Sequence, residues 1–236
     1  MEKAQETNQY PMRINKYLAT KKYCTRREAD ELITKGKVFI NGKLAVLGDK
    51  VSETDAVDVK FRQKKYRYYA YNKARGIITH SPQGEEKDIA MVSPLEGVFP
   101  VGRLDKDSYG LIILTDDGRI TDKLLNPEYV HEKEYLVRTA NELRPSFKEH
   151  MEKGVDIGDF VTKKCSVTVV GPKLFTITLV EGKKHQIRRM CAAMHNDAIE
   201  LERIRIMNIR VKGIKPGGYR EIGGRELELF LKALGF

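Results

Sequence analysis

Cysteine is scarce. The chain of 236 residues has three, Cys24, Cys165 and Cys191, an odd number set far apart with no Cys-x-x-Cys pair and no nearby His at zinc-ligand spacing. Disulfide frameworks and structural zinc are both excluded on that pattern. Long apolar runs are missing too: none exceeds five residues, far short of the roughly 20 a spanning helix requires. The opening Met1-Glu-Lys-Ala-Gln-Glu-Thr-Asn has no hydrophobic stretch of the kind a secretory signal needs, so a cytoplasmic protein with no membrane partner is expected. With only 19 Gly and 8 Pro against 41% apolar and 32% charged residues, the chain is neither fibrous nor wholly disordered. It shows no internal repeat and no low-complexity tract.

What is abundant is positive charge. Lys and Arg number 43 against 33 Asp and Glu, a net +10, and a polyanion is the natural partner of such a surface. The excess is concentrated near the start. Residues 12–65 hold 14 basic and 7 acidic side chains, whereas residues 66–236 hold 28 and 24.

Residues 1–11 are polar and aperiodic, and read as a disordered tail. From Arg13 a short helix is predicted by Ile14, Tyr17 and Leu18 at helical spacing. Thr25-Arg-Arg-Glu28 has the form of a capping box. It opens a second helix with Ala29, Leu32 and Ile33 on its apolar face and Gly36 at its end. Val38-Phe-Ile40, Asn41-Gly42 and Lys43-Leu44 read as a hairpin with a type I′ turn, and Val57 and Val59 offer a further strand. Arg13, Lys16, Arg26, Arg27, Lys35 and Lys37 decorate these elements, an arrangement suited to gripping a nucleic-acid backbone. Residues 12–60, above all Arg13-Ile-Asn-Lys-Tyr-Leu-Ala, Thr25-Arg-Arg-Glu-Ala and Gly36-Lys-Val-Phe-Ile-Asn-Gly, resemble an S4 RNA-binding domain. A DNA-reading helix-turn-helix is the competing interpretation, but the second helix lacks the Asn, Gln and Arg pattern that base readout requires.

Residues 61–65 form a charged, apolar-poor linker. Beyond it, residues 67–71, 77–79 and 111–115 read as strands, and residues 165–170 and 175–180 as an antiparallel hairpin about Gly171-Pro172-Lys173. Helices are expected around 145–153, stopped by Gly154, and around 186–194. A last one carries Leu227, Phe230, Leu231 and Leu234 at i, i+3, i+4 and i+7. Strands outnumber helices and do not alternate strictly with them, which predicts an α+β fold on a mixed, mostly antiparallel sheet over residues 66–236.

Three stretches stand out chemically. In Gly102-Arg103-Leu-Asp105, a carboxylate lies in a loop just before a buried strand, where a rigid sheet presents reactive groups; alone, it would pass for a surface turn. In Lys133-Glu-Tyr135-Leu-Val137, strand alternation puts Lys133, Tyr135 and Val137 on one face, so that a cation and a ring point together, as a flipped base and its phosphate would require. Taken alone, a strand Tyr is more often core. In Gln186-Ile187-Arg188-Arg189-Met190, helical geometry places Ile187 on the buried face, Arg188 at its border and Arg189 on the far side, towards solvent or RNA. A guanidinium at the edge of a core needs a carboxylate; Asp105 is the expected partner, kept ionised by Arg188 in a water-poor cleft.

In this order, behind an S4-like module, the three stretches resemble the pseudouridine synthases of the S4-bearing RsuA/RluB/RluE/RluF branch, over nearly the whole chain. The resemblance implies that Asp105 is the catalytic carboxylate, Tyr135 the platform for the target uracil, Ile187 a pocket wall and Arg188 the partner of Asp105. Arg103, Lys133 and Arg189 would contact substrate at the site, and Arg13, Arg26 and Arg27 would do so on the S4 surface. Ser108 stands where the family commonly has Thr, and Asp116 where Asn is frequent. Residues 161–165 and 201–208 look closest to the RluF-type members, which act on large-subunit 23S ribosomal RNA. The implied enzyme isomerises uridine in ribosomal RNA, with tRNA as a further candidate substrate, and works as a cytoplasmic monomer without cofactor or metal. Two rivals are a non-catalytic, ribosome-associated S4 protein and a hydrolase using Asp116 and Asp117, whose adjacent positions in a turn point the carboxylates apart.

Overall fold

The computed structural model describes residues 10–60 and 65–236; most of the tail and the linker read from sequence lie outside the described residues. The chain divides into two compact units, Met1–Lys65 and Tyr66–Phe236.

In the first unit, β1 (Met12–Arg13) leads into α1 (Ile14–Thr20) and α2 (Arg26–Thr34). These are followed by β2 (Val38–Ile40), β3 (Lys43–Leu44), β4 (Lys50–Val51) and β5 (Val57–Val59). The capping box forms as read: Glu28 N donates to Thr25 Oγ1 at 3.2 Å, and Thr25 N donates to Glu28 Oε2 at 2.8 Å. Two of the orphan donors at the helix start are thereby satisfied. Thr25→Ala should therefore cost the S4 unit about 1 kcal/mol, measurable by denaturant titration of the full chain. Asn41 and Gly42, at φ 51° and 76°, make the tight turn between β2 and β3, and β5 pairs with β2 on its other edge. Ile14, Leu18, Ala29, Ile33, Val38 and Val51 form the core.

The second unit is α+β. Its elements are β6 (Tyr68–Lys73), α3 (Ile89–Val92), β7 (Phe99–Val101), β8 (Tyr109–Thr115), α4 (Ile120–Leu125), β9 (Lys133–Thr139), α5 (Phe147–Lys153), β10 (Ser166–Gly171), β11 (Leu174–Leu179), α6 (Gln186–Ala193), β12 (Ala198–Ile206), β13 (Ile209–Arg210), β14 (Tyr219–Glu221) and α7 (Gly224–Ala233). The main sheet runs β10-β11-β9-β12-β8-β6-β14, with β13 beside β12 and β7 beside β8. Only the β12/β8 pair is parallel; the others are antiparallel.

Helices α5 and α6 pack Phe147, Met151, Ile187 and Met190 against Val137, Phe175 and Ile177. Helix α7 closes a second cluster through Phe230 and Leu234, with Tyr68, Leu111 and Ile113 beneath. One predicted strand is absent: residues 77–79 make only an isolated bridge, Ile78 to Asp88. Thr79 is spent instead on a side-chain contact that shapes the site.

Asp116 and Asp117 are structural. The Asp117 carboxylate is fully buried, paired with Arg119 at 2.8 Å and accepting from the Tyr68 hydroxyl at 2.5 Å. Asp116 accepts from Arg67 N at 2.8 Å. Neither is placed as a reactive acid, which removes the hydrolase reading.

Candidate active site

Asp105 sits in the loop between β7 and β8, and the backbone of that loop is tied from four sides. Thr79 Oγ1 accepts from Leu104 N at 3.0 Å and donates to Leu104 O at 2.9 Å. Gly76 N reaches Lys106 O at 2.8 Å, and Lys73 Nζ approaches the same carbonyl at 3.4 Å. Arg203 Nη1 donates to Arg103 O at 3.2 Å. Within the loop, Ser108 N closes a turn on Asp105 O at 3.1 Å. A loop so constrained is preorganised: the backbone that carries Asp105 is fixed before any substrate arrives.

Around it lies a cavity of about 570 Å³ whose lining includes Arg103, Asp105, Ser108, Tyr135, Lys183, Lys184, His185 and Ile187. That volume suits one nucleoside-sized group. Tyr135 enters from β9, Ile187 from the first turn of α6, and the cationic rim from the segment before α6. Ser108 Oγ is buried without a hydrogen-bond partner among the described residues, a free hydroxyl in the wall.

The segment before α6 is held by Glu181, which is buried. Its Oε1 accepts from Gln186 Nε2 at 2.7 Å and from Lys163 N at 2.9 Å, while Gln186 Oε1 accepts from Lys183 N at 2.9 Å. The turn this network imposes puts His185 in the left-handed region at φ 53°.

Sequence reasoning joined Asp105 to Arg188. The structure pairs Asp105 differently: among the described residues, the basic side chain within ion-pairing distance is the His185 imidazole, whose Nε2 lies 3.7 Å from Asp105 Oδ1. Arg188 instead donates to Ala198 O at 2.5 Å and lies 3.5 Å from Asp107 O, because two backbone carbonyls are closer to its fork than the carboxylate is. Arg188 does share a smaller, adjoining cavity with Asp105, Arg103 and His185. Nor is the cleft dry in the free protein, since the Asp105 side chain is 43% exposed.

Arg189 also differs from the expectation. It does not face solvent freely but bonds to Ile157 O and the Asp159 carboxylate, tying α6 to the loop before β10. Lys133 and Tyr135 do share a face of β9, yet Lys133 does not line the cavity. Its ammonium is largely buried, and that burial, together with the Arg203 charge, lowers its pKa to about 8. Lys73, fully buried on β6, is lowered to about 8 by the same desolvation, against the opposing pull of Asp105.

Thr79, Glu181, His185, Lys73 and Arg203 had no role in the sequence reading. Most of the bonds that give them one join residues remote in sequence or run to backbone atoms, and leave no periodicity to read. In the first unit Arg13, Arg26 and Arg27 are all exposed. Among the described residues no group of three or more His, Cys, Asp or Glu could hold a metal ion, and no helix is long and apolar enough to cross a membrane.

The comparisons with known proteins agree with this geometry. A family profile described as RNA pseudouridylate synthase matches residues 67–193, and one for the S4 domain matches residues 12–57. The dual-specificity RNA pseudouridine synthase RluF of Salmonella typhi is 44% identical over 222 residues, spanning 91% of this chain and 77% of the relative. RluF of Escherichia coli (strain K12) is 43% identical, with 92% and 77% covered. A crystal structure of a pseudouridylate synthase superposes with a TM-score of 0.68 at 25% identity, covering 94% of this chain and 99% of that one. With an S4 module ahead of a preorganised aspartate that shares a nucleoside-sized cavity with a tyrosine, and with relatives this close over nearly its full length, the chain belongs to the RNA pseudouridine synthase family.

Proposed function

We propose that this enzyme isomerises a specific uridine of large-subunit, 23S ribosomal RNA to pseudouridine, with Asp105 as the catalytic carboxylate, Tyr135 as the platform for the everted uracil and Ile187 as a wall of its pocket. The observation that carries the reading is the single cavity that all three side chains line. Its rim of Arg103, Lys183 and Lys184 suits the phosphates on either side of a flipped nucleotide. The RluF relatives are dual-specificity RNA pseudouridine synthases, which supports a second RNA substrate here, and for it we propose tRNA. On this reading the enzyme acts in the cytoplasm and as a monomer.

The reaction breaks the N1–C1′ bond, turns the freed uracil and bonds its C5 to C1′; C5 gives up a proton and N1 gains one. No electrons are exchanged with a partner, so the residues need only position, polarise and move protons. Asp105 acts either as nucleophile at C1′ or as base towards the sugar C2′ proton. A primary isotope effect with a C2′-deuterated substrate separates the two. Arg188 lines the smaller cavity beside the carboxylate, and His185 Nε2 lies 3.7 Å from it. Unstacking the target base costs a few kcal/mol, which phosphate contacts elsewhere offset.

Mapping pseudouridines in ribosomal RNA and tRNA from cells with and without the gene tests the assignment. Loss of one 23S site is expected; an unchanged 23S map refutes it. For the S4 surface, replacing Arg26 and Arg27 by Ala should weaken binding and flatten the dependence of log K on log salt by about one unit per lost phosphate contact. A slope equal to that of the unsubstituted protein would take these residues out of the interface.

A further inference from the structure

We propose that Arg203 is a positioning residue for the isomerisation, a clamp across the base of the Asp105 loop that keeps this loop in register with Tyr135. The proposal rests on Asp105 being the catalytic carboxylate.

One row of the sheet carries the argument. Lys73 of β6 pairs with Gly110 of β8, Gly110 with Arg203 of β12, and Arg203 with Tyr135 of β9. Cross-strand partners present their side chains on the same face, so Arg203 and Tyr135 are direct neighbours. Arg203 is only 4% exposed, yet no carboxylate lies within ion-pairing distance of it among the described residues. Burying a guanidinium without an anionic partner is costly, and in a family with a defined reaction such a cost points to use.

The two donors that are engaged show what the use is. Nε donates to Leu111 O at 2.6 Å and Nη1 to Arg103 O at 3.2 Å. Arg103 stands two residues before Asp105 at the start of the loop, and Leu111 lies just past its end, inside β8. The guanidinium therefore staples the two ends of the loop together, while its own strand is fixed beside Tyr135. Nη2 is buried and without a hydrogen-bond partner among the described residues. A lysine could supply the charge but not the planar fork that reaches both carbonyls.

Arg203→Lys and Arg203→Met separate the possibilities. Both should still bind the RNA, with KM within about threefold of the unsubstituted enzyme, while kcat falls about 100-fold through misplacement of Asp105. Amide hydrogen exchange should accelerate over residues 103–108 in both. A kcat within about threefold for either folded variant overturns the proposal, as does a loss carried by KM with loop exchange unchanged. If neither variant folds cooperatively, Arg203 is a core residue and the proposal fails. Asp105→Asn, measured alongside, keeps the two readings apart: an active Asp105→Asn enzyme removes the catalytic assignment, whereas an inactive one beside a fully active Arg203→Lys removes the clamp alone.

Discussion

Asp105→Asn should lower pseudouridine formation by about 10⁴-fold or to below detection, while affinity for the substrate RNA stays within a few-fold. The substitution keeps shape and removes charge. An amide is neither a competent nucleophile at C1′ nor a base for a sugar proton, so both routes open to the carboxylate are lost together. Binding should survive because none of the loop's anchors uses the Asp105 side chain: Thr79, Gly76, Lys73 and Arg203 all hold backbone atoms of Arg103, Leu104 or Lys106. The side chain is also 43% exposed, so the amide is not forced into a core. Nucleoside analysis of a reacted target RNA, with a gel-shift titration on the same protein, reads the two quantities separately. Turnover retained by the variant would move the chemistry to another group. A collapse of affinity equal to the loss of turnover would make the carboxylate a binding group.

The second large effect concerns stability. Gly110→Ala should destabilise the catalytic unit by about 3 kcal/mol or more. Gly110 has φ 104°, a conformation L side chains rarely adopt, and a Cβ there would stand 2.4 Å from Arg203 O and 2.7 Å from Arg203 N. Both obstacles are backbone atoms of the parallel β8/β12 pair, the one parallel contact in the sheet, so neither can swing aside as a flexible side chain would. The midpoint of thermal unfolding should drop by about 6–12 °C for a domain of this size. Gly182→Ala is the control: nothing lies within 4 Å of its Cβ position, and its effect should stay within about 0.5 kcal/mol. An unfolding midpoint for Gly110→Ala equal to that of the control would mean that β8 and β12 do not approach as closely as described.

Local chemistry was legible from sequence wherever one stretch of chain completes its own contacts. Thr25 and Glu28 satisfy each other three residues apart, Asn41-Gly42 closes a hairpin between adjacent strands, and Leu227, Phe230, Leu231 and Leu234 bury the stripe their spacing drew. The gathering of Asp105, Tyr135 and Ile187 was also foreseen, though from the resemblance of three motifs rather than from any periodicity. The pairing of Asp105 was not. Arg188 sits where a carboxylate partner was reasonable, but a guanidinium fork is satisfied equally by carbonyl oxygens, and Ala198 O is nearer. The predicted strand at 77–79 failed for a related reason: its β-branched residues fit a strand, but Thr79 is held by Leu104, 25 residues on.

An α+β RNA-directed protein with a basic S4 module and a set of motifs able to rearrange a nucleoside is legible along the chain, because charge balance, capping, turn chemistry and motif order are properties of sequence neighbours. Which groups meet was settled by packing. It brought His185 to Asp105, spent Arg188 and Arg189 on backbone and loop contacts, and aligned Lys73, Gly110, Arg203 and Tyr135 in one sheet row. These outcomes depend on strand register and on competition among many carbonyl acceptors, which are settled when remote segments pack and are written in no single one of them.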